Sequence, residues 1–288
     1  MEEDIIISQL KSSILNSHKN KSSYWKKHTK NQNFEDVYNI LSSGAFSKNE
    51  FKRNILHLIF QFILFDKKIF FSDEIKLYKK ICALQKRMFD YDILRHVFTL
   101  NILNKNNLIK NKVCVIGDGK ANFASGCMLQ DEKTTIYSVN LPEVSLQEYS
   151  ILKKFNIIDK KFIKVVNSKA DLDSKNIKLY FIPAENAHLL ENINIKLFVN
   201  IASFQEMDKD EIIKYFDIVK SNKAFLYCCN REKKELYDGV ITEFDKYPWG
   251  NGKFKFNENC PWFNFYYLFR PPFIKKFSPT KHCLVDYS

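Results

Sequence analysis

Three of the seven glycines in this 288-residue chain lie in one short segment, between an apolar run and a helical pattern. The segment reads VCVIGDGKANFASG and starts at Val113. Glycine lets the backbone adopt turns, and approach a ligand, where any Cβ would clash. When such a turn joins a buried strand to a helix, the helix N-terminus points at the bound molecule. Gly117, Asp118 and Gly119 therefore predict a ligand site at the end of this strand.

The spacing of the glycine turn indicates which ligand to expect. A dinucleotide fingerprint requires G-x-G-x-x-G, whereas the third small position here is Ala121 or Asn122, and Gly126 lies too far along. The pattern therefore does not favour NAD. S-adenosylmethionine (SAM) binds in the same geometry without a pyrophosphate, so it tolerates the looser spacing and is the expected cofactor.

Polar residues end the next two strands of the pattern. In open parallel sheets, ligands bind beyond the carboxyl ends of the strands, near the change in strand order. The second apolar run ends at Asn140 and Leu141, where we expect the cofactor ribose, unless Asn140 only opens a turn. An aspartate at 140 should bind at least as tightly, because its hydrogen bonds are charge-assisted. The third run ends at Ala184, Glu185 and Asn186, beside the expected adenine.

Hydrophobic periodicity predicts the elements that position these residues. Residues 1–105 have helical spacing, one glycine and no proline, which predicts an N-terminal helical region. Residues 106–288 alternate short apolar runs with amphipathic segments, which predicts an α/β domain with a mostly parallel, Rossmann-like sheet. The predicted strands lie at 112–117, 134–140, 177–183, 195–201, 224–230, 263–269 and 282–287.

The long segment after the fifth predicted strand has the composition of a substrate loop. It carries three glycines and two prolines between 230 and 263, with aromatic residues among polar ones. Aromatic faces can stack on a sugar, while amide and guanidinium groups bind hydroxyls or phosphates. We therefore expect substrate contacts from Gln205, Asn230, Arg231, Tyr247, Trp249 and Trp262. Alternatively, the tryptophans anchor the loop to the core, and we expect this for at least one of them.

Composition and charge narrow the class of protein. The net charge is +12, but the lysines are scattered singly and in pairs, so nucleic-acid binding is not favoured. The positive charge is also compatible with anionic substrates such as nucleotide sugars. The longest apolar run, 55–65, is too short and interrupted to span a membrane. Seven cysteines without a CxxC pair predict reduced thiols in a cytoplasmic protein. No cluster of acidic residues and histidines has a metal-binding spacing, and no metal is predicted.

Several longer sequence blocks narrow the predicted function further: VIGDG, VNLPE, NIASFQEM, YCCNREKK, CPW and a closing KHCLV. Over 112–288 these blocks resemble a bacterial family of class I SAM-dependent sugar O-methyltransferases, often tied to surface-polysaccharide synthesis. The resemblance implies a seven-stranded Rossmann-like sheet and methyl transfer to a sugar hydroxyl of a glycan or nucleotide sugar. The chain departs from the family at two positions, where Val115 and Asn140 replace the usual acidic residues.

Transfer to a hydroxyl requires the acceptor oxygen in line with the methyl group and a base for its proton. Glu206 follows the fourth predicted strand, where the acceptor should lie. His282 begins the last strand, which in this fold runs antiparallel to the others, so it should lie over the same cleft as an imidazole that titrates near neutral pH. We expect His282 as the base and Glu206 as the residue that orients the sugar. A surface histidine beside a proline turn is the alternative for His282, and His188 is expected to be structural.

Two other functions remain open from the sequence. A non-catalytic protein of the same fold could serve as a binding or assembly subunit in polysaccharide synthesis. An RNA methyltransferase is less favoured, because the Asn-Pro-Pro-aromatic signature of base methylation is absent after the fourth strand. Whether identical chains associate is also left open.

Overall fold

The computed structural model describes residues 4–16, 21–29, 67–85, 91–260 and 279–288, with residues 55, 59, 62, 63, 87 and 89 and two short strands. The described helices are α1 Ile5–Asn16, α2 Ser23–Thr29, α3 Asp73–Leu84, α4 Tyr91–Lys105, α5 Asn122–Gln130, α6 Pro142–Lys154 and α7 Lys209–Ser221. The described strands are β1 Lys112–Ile116, β2 Thr135–Asn140, β3 Ile163–Val165, β4 Leu179–Pro183, β5 Leu197–Ile201, β6 Phe225–Arg231, β7 Lys233–Glu235, β8 Ile241–Glu243, β9 Lys253–Asn259, β10 Phe265–Tyr267, β11 Ile274–Lys276 and β12 Thr280–Asp286. Short 3-10 helices lie at Lys67–Phe71, Lys160–Phe162, Lys169–Asp173, Ala184–Leu190, Phe204–Glu206 and Phe244–Lys246.

Eight strands form one sheet in the order β3-β4-β2-β1-β5-β6-β12-β9. The neighbours from β3 to β6 are parallel, while β12 runs antiparallel to both β6 and β9. The chain builds outward from β1 in one direction and then, from β5, in the other. This is the predicted Rossmann-like sheet of class I methyltransferases, mostly parallel with an antiparallel last strand, and the fold prediction is confirmed.

The strand list differs from the prediction at both edges of the sheet. β9 lies inside the segment predicted as a loop, and its side chains are largely exposed, so it lacks the apolar run that marks a buried strand. The apolar run at 263–269 instead contributes β10, which pairs with β11 apart from the main sheet. β3 adds an edge strand to the seven that the resemblance implied, giving eight.

Helices cover both faces of the sheet, which explains why β1 is apolar from Val113 to Ile116. Val113 and Val115 pack into one hydrophobic cluster, and Cys114 and Ile116 pack into the other. Alternate residues of a strand point to opposite faces, so a strand covered on both sides needs a continuous apolar run. The described N-terminal helices α1, α3 and α4 contribute to the same cluster as Val113.

The third glycine of the opening segment has a packing role. Gly126 lies within α5, and a Cβ at this position would come within 2.4 Å of the Tyr78 hydroxyl oxygen. Its small size therefore lets α3 approach α5, and only Gly117 and Gly119 of the three belong to the strand–helix turn.

All seven cysteines are buried and none forms a disulfide, as expected for reduced thiols. The Cys229 thiol donates a hydrogen bond to the Cys260 sulfur at 3.6 Å, and the two sulfur atoms form no disulfide. Within the part of the chain that the structure describes, no helix has the length and apolar character needed to cross a membrane.

Candidate active site

A cleft lies at the carboxyl ends of β1, β2, β4 and β5, where the sequence predicts it. It holds about 700 Å³, including the part that opens to solvent. The lining residues come from four strand ends, α6, α7 and the N-terminal segment: Lys21, Ser22, Trp25, Gly117, Gly119, Val139, Asn140, Leu141, Val144, Ala184, Ala202, Ser203, Glu206, Met207, Asp208, Glu211 and Tyr215.

The turn after β1 is shaped by both glycines and by Asp118. Gly117 has φ +81°, and a Cβ there would lie 2.1 Å from the Ser203 hydroxyl oxygen, so its missing side chain lets the ends of β1 and β5 meet. Gly119 has φ +66°, and a Cβ there would meet no atom within 4 Å. Gly119 also lines the cleft.

Asp118 organises the turn and does not line the cleft. Its carboxylate accepts hydrogen bonds from the backbone N–H groups of Phe123 (3.0 Å) and Ala124 (2.8 Å) in the first turn of α5. Burial raises the pKa of Asp118 to about 6, against the lowering effect of those N–H groups. The Asp118 side chain is therefore held by the first turn of α5 and is not among the residues that line the cleft, where the sequence predicted a cofactor contact.

The tip of β2 presents Asn140 to the cleft with little freedom to move. Its Nδ2 donates to the Ser138 hydroxyl (3.1 Å) and to Oε2 of Glu148 on α6 (3.0 Å). The Ser138 hydroxyl also donates to that Oε2, at 2.8 Å. Glu148 is fully buried, and burial, followed by the charge of Asp118, raises its pKa to about 8.

The tip of β5 is tied to both neighbouring strands by Asn200, which is fully buried. Its Nδ2 donates to the Ile116 carbonyl (3.2 Å) at the end of β1. Its Oδ1 accepts from the Phe204 N–H (3.1 Å) and from Nδ2 of Asn230 on β6 (2.8 Å). This one side chain therefore holds three strand ends together beneath the cleft.

Replacing Asn200 with alanine is expected to lower the free energy of unfolding by about 2–4 kcal/mol, since truncation leaves buried hydrogen-bonding partners unmet. Denaturant unfolding measures the change. Asn257→Ala, on the exposed strand β9, is the control and should change stability little. A loss below about 1 kcal/mol for Asn200→Ala, the net value of one ordinary hydrogen bond, would contradict the role of Asn200 as a tie.

Three carboxylates line the far side of the cleft: Glu206, Asp208 and Glu211. Glu206 ends the 3-10 helix after β5, and its Oε1 lies 2.9 Å from Nζ of Lys234. Tyr24 of α2 also neighbours Glu206, and burial, followed by this negative charge, raises the pKa of the tyrosine to about 12. Burial and the charge of Asp238 raise the pKa of Asp208 above its usual range.

The N-terminal segment 21–29 forms one wall of the cleft, a contribution the sequence analysis missed. The Ser22 hydroxyl donates to the Glu206 carbonyl at 2.6 Å, and the buried ammonium of Lys21 pairs with Glu143 on α6. Tyr24 stacks on Tyr237 with ring centroids 5.8 Å apart. No sequence signal links Lys21 to partners more than a hundred positions away, so this wall could not be predicted.

His282 does not lie over the cleft, which corrects the predicted placement. β12 begins at Thr280, so His282 is its third residue and points to one face of the sheet. The imidazole is 1% exposed, with Nδ1 3.3 Å from the Tyr227 hydroxyl and Nε2 3.3 Å from a Glu258 carboxylate oxygen. Burial lowers its pKa, and it is not among the cleft residues.

The other predicted residues divide between the cleft and its supports. Gly117, Gly119, Asn140, Leu141, Ala184 and Glu206 line the cleft. Glu185 lies in an adjoining groove with Ala184, while Asn186 donates to the Val166 carbonyl at 3.1 Å.

The predicted substrate residues that the structure describes are not among those that line the cleft, and they contact the elements around it. Gln205 accepts from the Arg231 N–H at 2.8 Å, and its own N–H donates to Asn230. Tyr247 packs in the core beside Trp249, whose indole N–H donates to the Phe244 carbonyl. Trp249 is therefore the loop anchor of the alternative interpretation. Trp262 lies outside the described residues.

Comparison with known proteins adds solved structures of similar fold. No protein-family model matches the chain, and no curated protein does. A SAM-dependent methyltransferase from Aquifex aeolicus is similar over 75% of this chain and 100% of its own, with 13% identity and a TM-score of 0.42. A Thermoplasma acidophilum protein, 1320, is similar over 75% and 97%, with 11% identity and a TM-score of 0.47. The mitomycin 7-O-methyltransferase MmcR is similar over 62% and 49%, with 8% identity and a TM-score of 0.39. The fold assignment itself rests on the strand order and directions described above.

Proposed function

We propose that this cleft binds SAM and that the protein transfers its methyl group to a hydroxyl of a sugar, in a glycan or a nucleotide sugar. The observation that carries the proposal is the open space at Gly119, bordered by the tip of β2 on one side and by Glu206 on the other. A cofactor seated on the glycine turn would thus have a carboxylate opposite its reactive end.

The residues present suit SAM. Val139, Leu141 and Val144 give an apolar wall for a flat base, and Asn140 gives a polar group at the strand tip for ribose hydroxyls. Gly119 lets the backbone approach the ligand where a side chain would clash, while Gly117 lets the ends of β1 and β5 meet. When bound, SAM supplies an electrophilic methyl group on a sulfonium.

On the acceptor side, we assign Glu206 as the base, a role the sequence analysis gave to His282. A sugar hydroxyl is a weak acid, so a positioned carboxylate that takes its proton assists attack on the methyl carbon. The ion pair with Lys234 holds Glu206 in place, and Trp25 at the cleft wall offers an aromatic face for a sugar ring. The sugar acceptor is supported by the sequence resemblance.

Calorimetric titration of SAM into the wild-type protein tests the cofactor directly, and binding is expected. Asn140→Leu should weaken it by about 1–3 kcal/mol, because the ribose would face a position without a polar partner. Asn257→Leu, on exposed β9, is the matched control and should bind like wild type. Equal affinity in the Asn140 variant would make Asn140 a turn residue only.

The acceptor is identified by mass spectrometry of the surface glycan from cells with and without the gene. A methylated sugar that disappears with the gene supports the sugar hydroxyl. SAM binding with no methyl transfer to any glycan fraction would favour the non-catalytic subunit. Salt-sensitive RNA binding together with RNA methylation would favour the RNA methyltransferase.

A further inference from the structure

The amide of Asn140 has only one polar atom left for a ligand. Its Nδ2 carries two hydrogens, and it makes two hydrogen bonds, to the Ser138 hydroxyl and to Oε2 of Glu148. Both partners are completely buried behind the strand tip. The carbonyl oxygen Oδ1 is therefore the atom that the side chain offers to the cleft, as an acceptor only.

Glu148 determines this orientation. Its Oε2 accepts from Ser138 at 2.8 Å as well as from Asn140 at 3.0 Å, so the three side chains form a closed triangle. With the Asn140 amide turned over, Oδ1 would face the Glu148 oxygen to which Ser138 already donates. Buried acceptor pairs of this kind are disfavoured, so the amide is fixed in one state when Glu148 is ionised or carries its proton on Oε1, the oxygen that contacts neither Ser138 nor Asn140 in this triangle.

We propose that Glu148 is a positioning residue for the cofactor: by taking the Nδ2 hydrogens of Asn140, with Ser138, it aims Oδ1 at the ribose diol. The proposal rests on the proposed function, because it names the part of SAM that Asn140 receives. Glu148 would thus compensate for the amide of Asn140, which stands where the family that the sequence resembles usually has an acidic side chain. An amide has two faces of opposite polarity, and without a fixed partner it can present the wrong one.

The test compares ligands with and without the diol. S-adenosylhomocysteine and its 2′,3′-dideoxy analogue are titrated into wild type, Glu148→Met and Glu148→Gln, with the melting temperature of each recorded. Methionine is similar in size but accepts no strong hydrogen bond, whereas the glutamine carbonyl can accept from both donors. Ser150→Ala is the control, since Ser150 is buried on the same helix and its hydroxyl donates to the Leu146 carbonyl.

Glu148→Met is expected to raise the Kd of S-adenosylhomocysteine about tenfold, equivalent to about 1.4 kcal/mol, and to leave the dideoxy analogue unchanged. Glu148→Gln and Ser150→Ala should bind both ligands like wild type. A purely structural role would weaken both ligands alike, and that result would overturn the proposal. Loss of the preference for S-adenosylhomocysteine over its dideoxy analogue in Glu148→Gln would also overturn the proposal. This comparison can still be made if Glu148→Met does not fold.

The two proposals fail differently in this experiment. If the folded wild-type protein binds neither SAM nor S-adenosylhomocysteine, the proposed function is wrong. If it binds S-adenosylhomocysteine and prefers it to the dideoxy analogue, but Glu148→Met keeps that preference, the function stands and the role of Glu148 is wrong.

Discussion

Gly119→Val is expected to abolish SAM binding, with a loss of at least a hundredfold in affinity. A Cβ at this position would meet no atom within 4 Å, and Gly119 lines the cleft, so in the proposed SAM site branched carbons there would take up space that the cofactor needs. Isothermal calorimetry on the folded variant measures the loss.

Gly239→Val is the matched control for this experiment. Gly239 also has a positive φ, +82°, and also has no atom within 4 Å of a built Cβ, but it lies in the turn between β7 and β8. Both variants carry the same left-handed strain, about 1–2 kcal/mol for an L-residue, and should lose similar stability. Only Gly119→Val should lose SAM. Retained binding in that variant would remove the glycine turn from the cofactor site.

Glu206→Gln is expected to reduce methyl transfer about 10²–10⁴-fold, the usual effect of removing a general base, with SAM affinity close to wild type. Glutamine keeps the shape but cannot take the acceptor proton. The measurement is the rate of methyl transfer from labelled SAM to the identified acceptor, with SAM affinity determined in parallel.

Glu243→Gln is the control for Glu206. Glu243 is also paired with a lysine, Lys246, but it is not a cleft residue, so its loss should leave the rate unchanged. If Glu206→Gln transfers methyl groups normally, Glu206 is not the base. Asp208→Asn is then the next variant to measure, because Asp208 also lines the cleft.

The central part of the site could be predicted because parallel strands end at one edge of a sheet. The runs ending at Gly117, Asn140 and Ala184 converge for that reason alone. Glu206 follows the next strand by the same rule. Asp208 and Glu211 follow Glu206 closely in the sequence. Their negative charge after the same strand is a signal from which they could have been predicted as cleft residues.

The misplacement of His282 shows what strand direction alone does not determine. The antiparallel direction of β12 was predicted correctly, but the strand begins two residues earlier than expected, at Thr280. A two-residue difference moves a side chain from the edge of the sheet into its interior. There it points to one face of the sheet and packs against the neighbours on that face. Neighbours such as Tyr227 and Glu258 come from other strands and become visible only once the pairing is known.

The expectation for aspartate at 140 changes for a similar reason. From the sequence, a carboxylate there gains charge-assisted bonds to ribose. In the structure it would face Oε2 of Glu148, and the two carboxyls would need a proton held between them. Glu148 lies eight positions further along the chain, on a helix, so its approach to Asn140 depends on how α6 packs against β2.

The wall that segment 21–29 forms has a consequence for the order in which the parts of this protein fold. The carbonyl partner of Ser22, on Glu206, lies 184 residues later in the chain, and the partner of Lys21 lies 122 residues later. The loop between them must close before these contacts stabilise anything, which makes them slow to form. The strand ends around the cleft can therefore assemble first, with the cleft open on the side of segment 21–29. Closure of that side is a long-range step that depends on the sheet already being in place.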